Sequence, residues 1–427
     1  MNPVINSRLP YFVVAGILAG VIVWRGVLPA LSGPETDFPN YYTASRLLFE
    51  GADAGRLYDT VWFQTQMARF GFEHAGKFSP FPPPTALVLL PLAWLDPPTA
   101  FAVLTVVNIF ALAACIWLFS SITGIRGEKA AALILAAGLA IINCLRFGQL
   151  YIILVLLLLF SYRSARRGEP VLAGVFAGLL LPVKYFPVIV VAWFLVRGQW
   201  KSALAVLLTS ACVVALSLVL MGPRVFETFF LTVLPDHLAS RYEMQSPYAA
   251  AFQSWDSLLM RLFMKDSVLN PGAIWDSPAL YVILKAAILT AGGGVTLWIS
   301  IRLLKNGTQT AADILLALAG VAALLFAPGT ATYHFVLLWL PLALVVQQPA
   351  DHTWLRPLLI LMYAAIGWIP YSWFRTLGEG GGIWVVFDYP RLFLLTLLFG
   401  GLAVQAVRVS SRLPSLRPSG ATGDVST

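Results

Sequence analysis

Asp37 lies directly after the first long apolar segment, where that segment would meet the membrane surface. Pro39 follows near a helix start, and apolar residues then recur at helical spacing until Gly51, which predicts an amphipathic helix along the membrane interface. An aspartate before a helix often caps it by accepting a backbone N–H. A carboxylate held where lipid headgroups meet water also suits a general base that takes a proton from a hydroxyl. The sequence leaves both roles open.

Two cations, Arg146 and Lys184, lie in short turns between apolar segments on the side of the membrane predicted for Asp37. Neither has an acidic residue within ten positions. Charges are expensive in lipid and tend to mark function, although a long basic side chain also snorkels to the headgroups at low cost. A lipid phosphate at the interface is the partner that both cations would fit. Lys285 and Arg25 are weaker candidates of the same kind.

His334 and Tyr333 follow the turn Ala327–Thr332 and are predicted at the outer start of a span. A single histidine there is often a hydrogen-bonded structural residue, but with Tyr333 it could donate to a phosphate or to sugar hydroxyls. No two of the four histidines share a helical turn, and the three cysteines form no CxxC pair. The sequence therefore predicts no metal site, no disulfide framework and no cofactor.

The composition determines the class of protein. Of the 427 residues, 59% are hydrophobic and 11% are charged, whereas charged residues make up roughly 25% of a soluble domain. This balance indicates an all-α, polytopic integral membrane protein. The net charge is +8, and the positive residues cluster in short loops. The positive-inside rule places such loops in the cytoplasm, which accounts for the charge without nucleic-acid binding.

About twelve spans are predicted, near residues 10–31, 98–121, 129–145, 148–162, 170–182, 184–196, 201–221, 278–301, 312–327, 333–348, 356–370 and 386–408. Residues 85–95 are too short for a full crossing and are predicted to be interfacial or re-entrant. Two long loops, 32–80 and 222–277, are assigned to the outer face and hold twelve of the 20 acidic residues. Long loops usually carry function. Residues 1–410 are predicted to form one transmembrane domain, and 411–427 a flexible cytoplasmic tail.

Several short motifs occur in a fixed order along the chain. They are D-F-x-x-Y-Y-x-A from Asp37, L-x-x-G from Leu48, the Leu57-Tyr58-Asp59 tripeptide, F-x-x-x-P-P from Phe78, the Gly148-Gln149 pair, Ala173-Gly174 with Gly178-Leu179 and Lys184-Tyr-Phe-Pro187, Gln253-Ser254 with Ser257-Leu258 and Arg261, and Pro328 with Tyr333-His334. Over residues 10 to about 348 this order resembles glycosyltransferase family 87, of the GT-C class. That class includes the polyprenol-phosphate-mannose-dependent mannosyltransferases of phosphatidylinositol mannoside synthesis.

The resemblance implies inverting transfer of a sugar, with mannose expected, from a polyprenyl phosphate to a lipid or glycan acceptor at the extracytoplasmic face of the cell membrane. It implies that Asp37 is the base. The residues expected to bind the donor phosphate or substrate are Arg146, Gln149, Lys184, Tyr333, His334, Tyr41, Tyr42 and Gln253. Two alternatives remain open: a lipid-linked sugar transporter or flippase, and a pentosyl (arabinofuranosyl) transferase with the same donor chemistry. Transporters typically show internal repeats and polar residues at the membrane midplane, whereas here polar residues collect at one face.

Overall fold

The computed structural model of the protein describes residues 8–33, 36–184, 186–241, 243–305, 308–348, 354–378 and 381–412. Within these ranges the chain forms helices and loops, with one isolated bridge between Asp266 and Asn270 and no strand. Glu35, Tyr185 and all but the first two residues of the predicted tail lie outside the described residues. The all-α prediction is confirmed for the described chain.

The α-helices, with their bounds, are Leu9–Ile22, Leu28–Ala30, Phe38–Phe49, Thr60–Arg69, Pro97–Thr123, Gly127–Leu135, Leu139–Arg146, Tyr151–Arg166, Pro170–Leu180, Val188–Val196, Trp200–Met221, Arg224–Thr228, Leu234–Leu238, Trp255–Phe263, Pro278–Leu304, Gln309–Leu325, Trp339–Gln347, Leu355–Trp368, Arg375–Gly378 and Pro390–Arg412. Short 3₁₀-helices occur at Ala54–Arg56, Pro83–Leu87, Leu90–Leu92, Thr332–Leu338, Tyr371–Phe374 and Gly382–Asp388. Val23–Val27 and Phe229–Val233 are π-helical and continue α-helices on both sides.

Five helical segments among the described residues are long and apolar enough to cross a bilayer: Leu9–Ala30, Pro97–Thr123, Trp200–Met221, Pro278–Leu304 and Pro390–Ser411. Two bent pairs of helices would raise the number to seven. Their bends are 73° between Gly127–Leu135 and Leu139–Arg146, and 80° between Leu355–Trp368 and Tyr371–Gly378. Several other predicted spans are helices of only 9 to 17 residues, which is short of the about 20 residues that a full crossing needs. The structure therefore supports a membrane protein, and the count of twelve spans stays a prediction.

The helix Phe38–Phe49 differs from its prediction as an amphipathic helix on the membrane surface. Nine of its twelve residues are buried within the protein. The segment Pro83–Leu95 covers it, and the backbone carbonyls of Ala86 and Leu95 accept hydrogen bonds from Ser45 and Tyr42, each at 2.7 Å. Polar side chains that the sequence pattern assigned to water are thus satisfied by backbone groups of this covering segment. The cover itself consists of two short 3₁₀-helices.

Two glycines in the helix Pro170–Leu180 set its packing. A Cβ atom added to Gly174 would lie 2.4 Å from the carbonyl oxygen of Ser202, and one added to Gly178 would lie 2.8 Å from that of Val206. Small residues four positions apart allow two helix backbones to approach closely, as membrane helix pairs often do. This contact fixes the helix against Trp200–Met221 and so determines where Lys184, in the loop that follows, can lie.

Candidate functional site

Asp37 occupies the N-cap position of the helix Phe38–Phe49, but its side chain makes no capping hydrogen bond. Its Oδ2 atom instead accepts a hydrogen bond of 2.7 Å from Nε2 of Gln149. This geometry removes the main reason to interpret Asp37 as a helix cap. Asp37 is instead a carboxylate held in place by the side-chain amide of Gln149. An amide does not compete with a carboxylate for a proton.

A hydrogen bond from Tyr41 orients the side chain of Gln149 toward Asp37. Tyr41 donates its hydroxyl hydrogen to Oε1 of Gln149 at 3.0 Å, which leaves Nε2 for the carboxylate. Gly148 has a φ of +62°, and a Cβ atom there would lie 2.6 Å from Cβ of Phe38. Only glycine fits such a conformation and approach without strain. Gly148 therefore lets residues 147–149 approach the start of the helix Phe38–Phe49 closely. The Phe38 N–H donates to the Phe147 carbonyl at 2.8 Å.

Lys184 presents its ammonium group to the same site. The Nζ atom lies 4.5 Å from the ring centre of Phe81 and 5.2 Å from that of Tyr151, and Phe81 packs against Tyr41 at 4.6 Å between ring centres. Burial raises the pKa of the Asp37 carboxyl, while the hydrogen bond from Gln149 and the positive charge of Lys184 oppose that shift. Burial also lowers the pKa of Lys184 to about 8, against the opposing effect of Asp37. A partly buried cation thus lies near a partly buried carboxylate.

Tyr333 and His334 join this site from a distant part of the chain. The ring of Tyr151 lies 5.4 Å from that of Tyr333 and 4.7 Å from that of His334, measured between centres. The Nδ1 atom of His334 accepts a hydrogen bond of 3.0 Å from the backbone N–H of Ala331. A ring nitrogen that accepts carries no proton, so the remaining proton of the neutral ring is on Nε2. His334 is therefore arranged as a hydrogen-bond donor.

Four residues of this region were missed by sequence reasoning: Lys77, Phe81, Tyr151 and His237. The side chain of Lys77 is largely buried and donates to the backbone carbonyl of Glu243, which joins the two long loops. Burial lowers the pKa of His237, and the charges of Lys184 and Lys77 lower it further. For Lys77 and Tyr151 the sequence did offer a signal, namely a position next to a motif. Lys77 directly precedes Phe78, and Tyr151 follows Gln149 by two residues.

The other predicted site residues have different surroundings. Arg146 is the last residue of the helix Leu139–Arg146 and is partly exposed; that it shares a lipid phosphate with Lys184 stays a prediction. Tyr42 packs among Phe38, Phe70 and Phe72 in the core. The Nε2 group of Gln253 donates to the carbonyls of Ala250 and Asp388 at 2.7 and 2.8 Å, which uses both of its hydrogens. The structure thus brings Asp37, Tyr41, Gln149, Lys184, Tyr333 and His334 together and gives Tyr42 and Gln253 packing or backbone contacts.

Comparison with known proteins identifies the family of the chain. Over 376 residues, or 81% of this chain and 78% of the relative, the sequence is 26% identical to a polyprenol-phosphate-mannose-dependent alpha-(1-2)-phosphatidylinositol mannoside mannosyltransferase of Mycobacterium tuberculosis (strain ATCC 25618 / H37Rv). The sequence model of glycosyltransferase family 87 matches residues 80–328, which is more than half of the chain and includes Gln149 and Lys184. The chain is a membrane glycosyltransferase that belongs to glycosyltransferase family 87.

Proposed function

We propose that the protein transfers mannose from a polyprenyl-phosphate donor to a lipid or glycan acceptor at the extracytoplasmic face of the cell membrane, with inversion at the sugar carbon. The observation that carries the proposal is the Asp37 carboxylate, held by Gln149 at 2.7 Å in a site that also contains the Lys184 ammonium. The similarity to a polyprenol-phosphate-mannose-dependent enzyme supports this donor class.

The proposed reaction is a single displacement. Asp37 accepts the proton of the acceptor hydroxyl as the hydroxyl oxygen attacks the anomeric carbon of the sugar. The bond from that carbon to the phosphate oxygen breaks on the opposite side, and polyprenyl phosphate leaves with the electron pair. Because the new bond forms opposite the old one, the configuration inverts, and no second carboxylate is needed to form a sugar–enzyme intermediate.

The phosphate end of the site carries the developing negative charge. Lys184 supplies a positive charge there, and the Nε2–H of His334 and the hydroxyl of Tyr333 supply hydrogen-bond donors on the neighbouring segment. Preorganised donors and charges of this kind stabilise a leaving phosphate more in the transition state than in the ground state. The aromatic rings of Phe81 and Tyr151 beside Lys184 lower the local polarity, which strengthens these interactions.

The test is transfer by the purified protein from polyprenyl-phosphate [¹⁴C]mannose to a membrane lipid extract. We expect a labelled lipid or glycan product that depends on the protein, and polyprenyl-phosphate arabinose serves as the matched pentosyl donor. Transfer from the pentosyl donor alone would replace mannose by a pentose, within the same mechanism. Absence of transfer from both donors would contradict the proposed function.

The membrane orientation gives a separate prediction. The short loop with Arg163, Arg166 and Arg167 is expected in the cytoplasm, and the loop 32–80 outside. In whole cells, a membrane-impermeant maleimide should label Glu73→Cys and should label Arg167→Cys only after permeabilisation. Both positions are exposed, whereas the natural cysteines Cys115 and Cys144 are buried. Cys212 is exposed on a predicted span and should be replaced by Ser in the background. Labelling of Arg167→Cys with protection of Glu73→Cys would reverse the orientation.

A further inference from the structure

Arg391 is a buried cation at the second residue of the helix Pro390–Arg412, and its exposed fraction is 1%. Among the described residues, no carboxylate lies within ion-pair distance of its guanidinium; Asp388, three residues earlier, is paired with Arg261 at 2.6 Å. A charge at this depth without an acidic partner is costly in free energy and tends to mark function. Its hydrogen bonds indicate what that function is.

The guanidinium of Arg391 connects two segments that are distant in sequence. Its Nε–H donates to the backbone carbonyl of Ile369 at 2.8 Å, and Nη1–H donates to the hydroxyl of Thr332. Thr332 directly precedes Tyr333 and His334 in the chain. Phe335 directly follows Tyr333 and His334 in the chain, and the guanidinium carbon lies 5.8 Å from its ring centre.

The second long loop holds the same segment from another side. The backbone N–H of Gln253 donates to the Thr330 carbonyl at 2.9 Å, and the Ser254 hydroxyl donates to the Pro328 carbonyl at 2.8 Å. Oε1 of Gln253 accepts from the backbone N–H of Arg391 at 3.1 Å. Residues 328–332 are therefore fixed between the second long loop and the last long helix.

We propose that Arg391 is a positioning residue for the reaction: through Thr332 it holds the backbone that orients Tyr333 and His334, and Gln253 completes this clamp without touching substrate. The inference rests on the proposed role of those two residues at the donor phosphate. The hydrogen bond from Ala331 to Nδ1 of His334 directs the Nε2–H donor only while residues 330–332 keep their position. Small misplacements of a positioned donor cost large factors in rate.

The substitution Thr332→Val tests the clamp, because it keeps the side-chain shape and the Arg391 charge and removes one hydrogen-bond acceptor. We expect kcat to fall roughly tenfold with KM for the donor little changed. In a background that carries Tyr333→Phe and His334→Ala the same substitution should have almost no further effect, since those two changes remove the donors that the clamp orients. Thr396→Val is the matched control, as the Thr396 hydroxyl donates only to Leu392 of its own helix at 2.8 Å; it should leave kcat unchanged.

A readout that needs no substrate separates this inference from the proposed function. Diethyl pyrocarbonate modifies an unbonded imidazole nitrogen, and mass spectrometry follows the rate at His334 with His237 as an internal reference. Thr332→Val should speed modification of His334, and Thr396→Val should not. An unchanged rate in Thr332→Val would overturn the inference even if the enzyme uses another donor. An equal loss of kcat with and without the Tyr333 and His334 donors would overturn it as well, because it would indicate general destabilisation.

Discussion

Asp37→Asn should abolish most turnover while the protein stays folded. Asparagine still accepts a hydrogen bond through its carbonyl oxygen, so the contact with Gln149 can persist. The neutral amide cannot accept the proton of an acceptor hydroxyl, and general-base catalysis contributes about 10²- to 10⁴-fold to rates. We therefore expect kcat to fall by at least about 10²-fold, measured as transfer of labelled sugar by the purified variant, with a melting temperature close to that of the natural protein.

Asp59→Asn is the matched control on the same loop. Asp59 caps the helix Thr60–Arg69 by accepting from the Trp62 N–H at 3.1 Å, and it pairs with Arg56 at 3.0 Å near the surface. Asparagine is as good a cap as aspartate, and exposed ion pairs contribute about 0–1 kcal/mol. Activity and stability of this variant should therefore stay close to natural values. Near-natural turnover in Asp37→Asn would refute the base assignment and point to another acidic residue of the long loops.

Lys184→Met should be the second strongest loss. Methionine preserves the unbranched side chain beside Phe81 and Tyr151 but removes the charge that we propose to face the leaving phosphate. Removal of one preorganised electrostatic group at a developing charge costs about 10²- to 10³-fold, so we expect kcat/KM for the donor to fall in that range. Lys129→Met is the control, because Lys129 also lies over an aromatic ring, that of Tyr11 at 4.8 Å, in the first turn of the helix Gly127–Leu135 and at the end of a span that is predicted to be cytoplasmic. That variant should keep full activity.

The pH profile of kcat/KM is a second test of the roles proposed for Asp37 and Lys184, since it reports the ionisation of groups in the free enzyme. The base must be deprotonated, so activity should rise with pH through a pKa above the ordinary 3.8 of an aspartate, because burial raises that of Asp37. The cation must be protonated, so activity should fall as pH passes about 8, where burial places the pKa of Lys184. In Lys184→Arg the charge persists to higher pH, and the alkaline limb should move upward. An alkaline limb that stays in place would exclude Lys184 as its source.

The sequence by itself determined the class of protein and the chemistry of its parts. Composition and apolar segments indicated an all-helical membrane protein, because helices satisfy their own backbone groups in lipid. The order of short motifs indicated the glycosyltransferase family. The glycines of the motifs were visible too, although sequence could not show that Gly174 and Gly178 serve helix contact whereas Gly148 allows the approach of Phe38.

Only the tertiary structure decided which residues meet. Whether Asp37 caps a helix or faces a site depends on Gln149, more than a hundred positions later, and sequence spacing carries no information about that 2.7 Å contact. The helix Phe38–Phe49 has a pattern typical of an interfacial helix, yet it is buried because Pro83–Leu95 folds over it and supplies the acceptors that water would otherwise supply. Gln253 and Arg391 show the same limit, since a hydrogen bond between segments depends on packing that local residue patterns do not encode.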